Sequence, residues 1–129
     1  MAAPHPTEGE LAILRVLWHR NGPTTVREVH DELTRTKDTA YTTVLKMLTI
    51  MADKGLVRRD ETERSHTYVP VHAEQVVQTS LLNDLMRRAF SGSALKLVQR
   101  ALDDDTASAE ELDAISTLIA QAKAKRKKS

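Results

Sequence analysis

Two helix-start signals near the N-terminus constrain the fold of this chain more than any other sequence feature. Thr7 is followed three residues later by Glu10, and the same spacing recurs at Thr25 and Glu28. This is the spacing of a capping box, in which each side chain accepts a hydrogen bond from the backbone N–H of the other residue. Apolar residues repeat at helical spacing behind both signals. The chain therefore begins with two short helices.

The turn between these helices is also marked in the sequence. Asn-Gly-Pro follows the first helix, and Gly22 is the expected left-handed C-cap, because glycine adopts that conformation without steric cost. A third helix is predicted to start near Asp38 or Thr39, to run to Lys54 and to end at Gly55. Three compact helices are thus expected within the first 55 residues.

The periodicity then changes from helix to strand. Two short strands are predicted at 56–60 and 66–70, joined by a polar loop. Three helices followed by a hairpin is the order of a winged helix-turn-helix. The predicted fold class is mainly α with a small β-hairpin, and the predicted DNA-binding domain covers residues 1–72.

The C-terminal half returns to helix and lacks a sheet that could cover its apolar stripes. A break is expected at 91–93, and a third capping-box spacing at Ser108 and Glu111 opens the last helix. Uncovered stripes favour a symmetric partner, so residues 73–122 are predicted to form a dimerisation region, followed by a basic, disordered tail at 123–129. The candidate dimerisation residues are Leu81, Leu85, Phe90, Leu95, Val98, Leu102, Leu112, Ile115, Leu118 and Ile119.

Composition excludes several classes of protein. The chain has no cysteine, which removes disulfides, thiolate metal sites and Cys nucleophiles and fits a reducing cytoplasm. No apolar run approaches the roughly 18 residues of a membrane span, and the N-terminus does not resemble a secretory signal. The net charge of +1 gives little support for nucleic-acid binding by itself. We therefore expect a cytoplasmic protein without a membrane partner.

The polar face of the third predicted helix is unusual. The apolar arc of this helix comprises Ala40, Val44, Met47, Leu48 and Met51, with Tyr41 at the edge. Thr42, Lys46 and Thr49 lie opposite this arc, with Thr43 on the flank, and the helix has no acidic residue between 39 and 52. Threonine is a mediocre helix former, so helix stability does not explain this face. Hydroxyls can bond to phosphates and base edges, and a short, acid-free face fits an acidic major groove. The alternative is an ordinary solvated surface.

Three segments carry a family resemblance. "ILRVLWHRNGPTTVREVHDEL", "AYTTVLKMLTIMADKGLVRR" and "ERSHTYVP" resemble successive signature segments of the penicillinase-repressor family, which regulates β-lactamase genes and includes copper-responsive repressors. The resemblance implies a homodimeric winged-helix repressor bound to a palindromic operator. It makes 40–54 the recognition helix and 58–66 the wing. It also puts Trp18, Val29, Val44, Leu48 and Leu56 at core positions.

The candidate DNA contacts follow from that assignment and from the hydroxyl-rich face. They are Thr24, Thr25, Tyr41, Thr42, Thr43, Lys46, Thr49, Arg58 and Arg64. For Tyr41 a packed, half-buried ring is an open alternative to a phosphate contact. For Thr24 and Thr25 helix capping is a sufficient role.

Other sites and partners are limited by what the sequence lacks. The family often has a basic residue where this chain has Ile50, so one contact is expected to be missing. β-Lactamase-type members of the family are inactivated by a protease that cuts an Asn-Phe bond in the C-terminal helices. This chain has no Asn-Phe bond, so induction by such a protease is in doubt. It also has no cysteine, which excludes the cysteine motif of the copper-responsive members. The histidines show no metal spacing, so no metal, cofactor or enzyme activity is predicted. The rival hypothesis is a winged-helix protein-interaction module that does not bind specific DNA.

Overall fold

The structure, a computed structural model, describes residues 5–128. Its elements follow in the order α1 (Glu8–Arg20), β1 (Thr24–Thr25), α2 (Val26–Leu33), α3 (Tyr41–Asp53), β2 (Val57–Asp60), β3 (Thr67–Pro70), α4 (Glu74–Ala89), α5 (Ala94–Asp103) and α6 (Ala109–Lys128). The predicted class, mainly α with a small hairpin in a winged-helix order, is confirmed.

Both N-terminal capping boxes form as predicted. The Thr7 hydroxyl accepts the backbone N–H of Glu10, and the Glu10 carboxylate accepts that of Thr7. Thr25 and Glu28 repeat the arrangement at the start of α2. The predicted C-cap of α1 was wrong by one residue. Asn21 takes the left-handed conformation at φ 54°, because asparagine tolerates this region and Gly22 is not needed there.

The third helix begins later than the sequence predicts. α3 starts at Tyr41, with Ala40 as an N-cap that makes no side-chain hydrogen bond. The preceding loop is held instead from α2, since His30 Nε2 lies 2.8 Å from the carbonyl oxygen of Thr39. Gly55, at φ 80°, ends the helix as predicted.

The two predicted strands form a hairpin, and a third strand joins them. The sheet is antiparallel with order β1-β3-β2; Arg59 pairs with Tyr68 across the hairpin, and Thr24 pairs with the same Tyr68 from the other side. Sequence patterning misses β1 because two residues carry no period and their pairing partner is distant in sequence.

One hydrophobic core holds the three N-terminal helices against this sheet. Its buried members come from α1, α2, α3 and the hairpin: Ile13, Leu14, Val16, Leu17, Val26, Val29, Val44, Leu48, Met51, Leu56, Val57 and Tyr68. Four of the five predicted core positions are buried here, and Trp18 is partly buried, with its indole N–H donating to the His72 carbonyl at 3.0 Å. The core fixes which face of α3 points outward.

The chain divides into two compact units, one ending at Asp84 and one beginning at Leu85. The predicted boundary after residue 72 differs from this division and stays a prediction. In the second unit the expected break at 91–93 is present, with Ser91 at φ 52° and Gly92 at φ 77° between α4 and α5. Neither α5 nor α6 buries a residue within this single chain.

The basic C-terminal segment is helical, where the sequence predicts a disordered tail. α6 starts behind Ser108, whose hydroxyl accepts the Glu111 N–H, and continues to Lys128. Lysine, alanine and arginine are good helix formers, and cations in the last turn interact favourably with the negative end of the helix dipole. Within residues 5–128, no helix is both long enough and apolar enough to span a bilayer.

Candidate nucleic-acid interface

Packing decides which face of α3 is available for binding. Val44, Leu48 and Met51 are fully buried in the core, and Met47 is partly buried against it. These are the apolar positions that the sequence places on one arc. Ala40, predicted to belong to the same arc, is instead the exposed N-cap residue.

The opposite face carries the predicted polar residues. Thr42, Thr43 and Lys46 are exposed and Thr49 is half-buried, and together we call them the hydroxyl face. The Thr49 hydroxyl donates to the Leu45 carbonyl at 2.9 Å, a bond back to the preceding turn. The structure therefore presents all four residues outward, but one hydroxyl proton is already used within the helix.

Two exposed apolar residues lie at the hydroxyl face and were not predicted as site residues: Leu45 on its flank, and Ile50 between Lys46 and Thr43 around the helix. Leu45 and Ile50 are each 42% exposed. At 100° per residue they lie about 140° apart around the helix, on opposite sides of Lys46. Helical periodicity alone gives this placement, but not the exposure of the two side chains.

A groove lies beside the Leu45 flank. It has a volume of about 370 Å³ and is formed by the start of α2, the first turns of α3 and the end of the wing loop at 61–66. No carboxylate is among its lining residues, which are Thr25, Val26, Arg27, Tyr41, Leu45, Arg64, Ser65, His66 and Tyr68. With two arginines and no carboxylate in its lining, the groove is suited to an anion.

Tyr41 lies at the centre of a small aromatic and cationic cluster. The Arg27 guanidinium carbon is 5.5 Å from the centre of its ring, and the His30 ring meets it edge-on at 5.7 Å. The ring is packed, yet 40% of the residue remains exposed. Both roles considered for Tyr41 are therefore compatible with its position, and Arg27 joins the site as a residue that sequence analysis missed.

The two threonines before α2, Thr24 and Thr25, differ in how far their side chains are exposed. Thr24 is fully buried, and its hydroxyl donates to the Gly22 carbonyl at 2.9 Å. β1 places this side chain inside the sheet and core, so it is not exposed, and a DNA contact by Thr24 stays a prediction. Thr25 is half-buried and lines the groove, while its hydroxyl serves the capping box.

The capping box also sets the ionisation of Glu28. The backbone N–H of Thr25 donates to its carboxylate, and this bond, with smaller contributions from the Thr25 hydroxyl and Arg20, holds the pKa of Glu28 below its ordinary value. Its partner Arg20 is drawn into an ion pair with Glu28. The charge of Arg20 is therefore offset within the protein.

The arginines of the hairpin are divided between the two faces of the sheet. Arg64 reaches the groove. Arg58 alternates with buried Val57 and so lies on the opposite face, in a depression that also contains Asp60 and Glu61. The structure therefore brings Arg64, but not Arg58, together with α3. Arg59 hydrogen-bonds Tyr68 and forms an ion pair with Glu61 at 2.8 Å.

Histidine and carboxylate side chains do not gather into a metal site in the part of the chain that the structure describes, residues 5–128. The groove and the hydroxyl face instead combine cationic, hydroxyl and apolar groups. Such a combination of groups is suited to an extended anion that also offers hydrogen-bonding edges.

The chain matches known proteins over most of its length. The family model described as penicillinase repressor matches residues 6–121. The transcriptional regulator BlaI of Mycobacterium tuberculosis is 35% identical over 116 residues, which cover 89% of this chain and 83% of that protein. The penicillinase repressor of Bacillus licheniformis is 24% identical over 124 residues, with 96% of each covered.

Two solved structures are similar to this one. The first is the solution structure of the Bacillus licheniformis BlaI monomeric form in complex with the blaP half-operator, at 26% identity and a TM-score of 0.50, covering 58% of this chain and 92% of that one. The second is a MarR family protein from Bacillus stearothermophilus, at 18% identity and a TM-score of 0.51, covering 95% and 76%. The second likeness concerns the fold alone.

Proposed function

The chain belongs to the penicillinase repressor family and is a DNA-binding transcriptional repressor, and from that premise we propose that it acts as a homodimer on a palindromic operator. The observation that carries this proposal is the outward, acid-free hydroxyl face of α3 beside a groove lined by two arginines. The rival hypothesis of a protein-interaction module is not favoured.

We propose that α3 enters the major groove. Thr42, Thr43 and Lys46 lie in the N-terminal half of the helix, the part that usually meets base edges in this motif. The first acidic residue of the helix is Asp53, at its far end, so the half that would enter carries no carboxylate. Lys46, the cation at the centre of this face, is the proposed base or phosphate contact, and Thr49 supports it one turn later.

A strand of the DNA backbone is the proposed occupant of the groove. Arg27 and Arg64 reach it from α2 and from the wing loop, respectively, and Tyr41, beside Arg27, lines the same groove. Arginine forms paired hydrogen bonds to phosphate oxygens, and the contact releases counterions. Arg58 would contact DNA only from the other face of the sheet, so we assign it a lesser role than Arg64.

Dimerisation is proposed for the C-terminal helices. Leu95 is 77% exposed and Leu118 is 62% exposed, and neither α5 nor α6 buries any residue in the single chain. Leaving such stripes in water forfeits hydrophobic stabilisation, which a second copy would recover. The proposed interface comprises Leu81, Leu85, Phe90, Leu95, Val98, Leu102, Leu112, Ile115, Leu118 and Ile119.

The site of action is proposed to be the cytoplasm, where a bacterial repressor meets its operator. The family consists of repressors and is not an enzyme class. Control by an inducing protease stays a prediction from the family resemblance, and the missing Asn-Phe bond means that any cleavage would use another peptide bond.

Selection of DNA by the purified protein tests the proposal. Duplexes retained from a randomised library should converge on an inverted repeat, and a selected duplex should resist competition by unrelated DNA. Affinity should fall steeply with salt: the logarithm of the association constant should decrease with the logarithm of the salt concentration by a slope of about −0.9 for each phosphate engaged. Retained duplexes without a common sequence would contradict specific repression. A single half-site without its inverted copy would contradict the dimer.

A further inference from the structure

Leu45 is an apolar residue on the surface proposed to meet DNA. It lies within one helical turn of Tyr41, Thr42 and Thr49, and it lines the groove as well as the flank of the hydroxyl face. A single exposed leucine is common on protein surfaces, so its exposure alone carries no meaning. Because it lies between the groove and the hydroxyl face, Leu45 would contact the base edges if α3 were bound in the major groove.

The hydrogen bonding next to Leu45 makes this part of the surface less polar than its sequence indicates. The Thr49 hydroxyl proton is donated to the Leu45 carbonyl at 2.9 Å. While this bond is made, the proton is not available to the acceptor atoms of the base edges, and Thr49 offers only acceptor capacity and its methyl group. Leu45 and Thr49 together form a mostly apolar stretch of the α3 surface.

In the major groove, apolar surface has one distinctive counterpart. Thymine is the only base that presents a methyl group there, and apolar side chains contact it. We infer that Leu45 is a specificity-determining residue that packs on the 5-methyl group of a thymine in each operator half-site. This inference rests on the proposed function, because it assumes that α3 lies in the major groove.

Replacing thymine by uracil tests the inference, because uracil lacks the 5-methyl group and pairs identically. The probe is a duplex selected by the wild-type protein from randomised DNA, with each thymine of the half-site changed to deoxyuridine in turn. One position should weaken wild-type binding by about fourfold, the value of one buried methyl group. Leu45→Ala should bind the thymine duplex less tightly and bind thymine and uracil equally at that position.

Ile50→Ala is the matched control. Ile50 has the same exposed fraction as Leu45 but lies about 140° away around α3, beyond Lys46 and away from the groove. Its variant should keep the wild-type ratio of thymine to uracil affinity at the sensitive position. Both variants change exposed side chains, and thermal unfolding followed by circular dichroism checks that each is folded as stably as the wild type.

The outcomes separate this inference from the proposed function. If the wild type selects a site in which no uracil substitution weakens binding, or if Leu45→Ala keeps the full thymine preference, the inference is overturned and repression through DNA binding stands. If the wild type selects no common sequence, the proposed function fails and the inference fails with it. Loss of the preference in both variants would assign it to the helix as a whole and overturn the role of Leu45.

Discussion

Lys54 Nζ lies 2.8 Å from Oε1 and 2.9 Å from Oε2 of Glu10. This ion pair joins the C-terminal end of α3 to the first turn of α1. Glu10 is only 5% exposed, and its carboxylate also accepts the Thr7 N–H at 2.8 Å. One carboxylate therefore closes the capping box of α1 and anchors the helix proposed to read DNA.

Removal of the lysine should destabilise the fold. Lys54→Met leaves the Glu10 carboxylate buried without its cation, and we expect a loss of about 1–3 kcal/mol in the free energy of unfolding. We expect a smaller loss of unfolding free energy than for a fully buried ion pair, because the Lys54 side chain is 40% exposed. Urea unfolding measures it. Lys46→Met on the exposed face of the same helix is the control, and equal losses in the two variants would contradict the role of the pair.

The same carboxylate should make stability depend on pH. Burial disfavours ionisation of Glu10, but the hydrogen bonds from Lys54 and Thr7 outweigh it and hold its pKa below the ordinary 4.5. A lowered pKa in the folded state stabilises the protein above the unfolded value, and this contribution is lost as the pH falls through the folded value. The stability difference between wild type and Glu10→Gln should thus be constant near neutral pH and shrink below about pH 4.5. A difference unchanged in acid would refute this assignment.

Gly9 marks a close approach between α1 and α3. A Cβ added there would lie 2.9 Å from Cε of Met47. Because this atom is the end of a flexible side chain, Met47 can move at little cost. Gly9→Ala should therefore gain about 0.5 kcal/mol from reduced backbone entropy in the unfolded chain. Gly9→Val, with its bulkier branched side chain, should be destabilising. Thermal unfolding distinguishes the two, and a destabilised alanine variant would show that Met47 is held rigidly.

Lys46 is expected to contribute directly to operator binding. Lys46→Ala should cost about 1–3 kcal/mol with the selected duplex if the ammonium contacts a base. If it contacts a phosphate, affinity should fall evenly across sequences and the salt slope should become shallower by about 1. Fluorescence anisotropy at several salt concentrations separates these cases. Lys96→Ala, in α5, controls for the loss of one positive charge, and an unaffected Lys46→Ala protein would remove Lys46 from the interface.

A charge placed on the apolar stripe of α6 should prevent dimerisation. Leu118→Glu is expected to sediment as a monomer and to bind the palindromic duplex more weakly, because burying an unpaired carboxylate in an apolar interface is costly. Thr117→Glu introduces the same charge about 100° around the helix from Leu118, outside the arc of the apolar stripe, and should remain dimeric. A fully dimeric Leu118→Glu protein would show that this residue lies outside the interface.

Local signals predicted much of the fold correctly. The capping boxes at Thr7 and Thr25, the glycine at the end of α3 and the break at 91–93 all depend on interactions within a few residues, so the sequence contains them in full. The same holds for the buried arc of α3, because helical periodicity alone separates Val44 and Leu48 from the hydroxyl face.

Relations between distant residues needed the tertiary structure. Strand β1 exists only through its pairing with β3, and that pairing buries Thr24, which the sequence offered as a DNA contact. The groove depends on Arg27, Tyr41 and Arg64, which come from three elements and have no common sequence pattern. The face on which Arg58 lies likewise follows from strand register.

The sequence by itself therefore determined the order of the helices and of the two hairpin strands, the capping boxes and the outward face of α3, because backbone hydrogen bonding and helical periodicity act over short stretches of chain. Only the tertiary structure decided that Arg27 and Arg64 lie beside that face and that Thr24 is buried. It also decided that Lys54 forms an ion pair with Glu10. These are contacts in space between segments far apart in the chain, and they arise when the core closes.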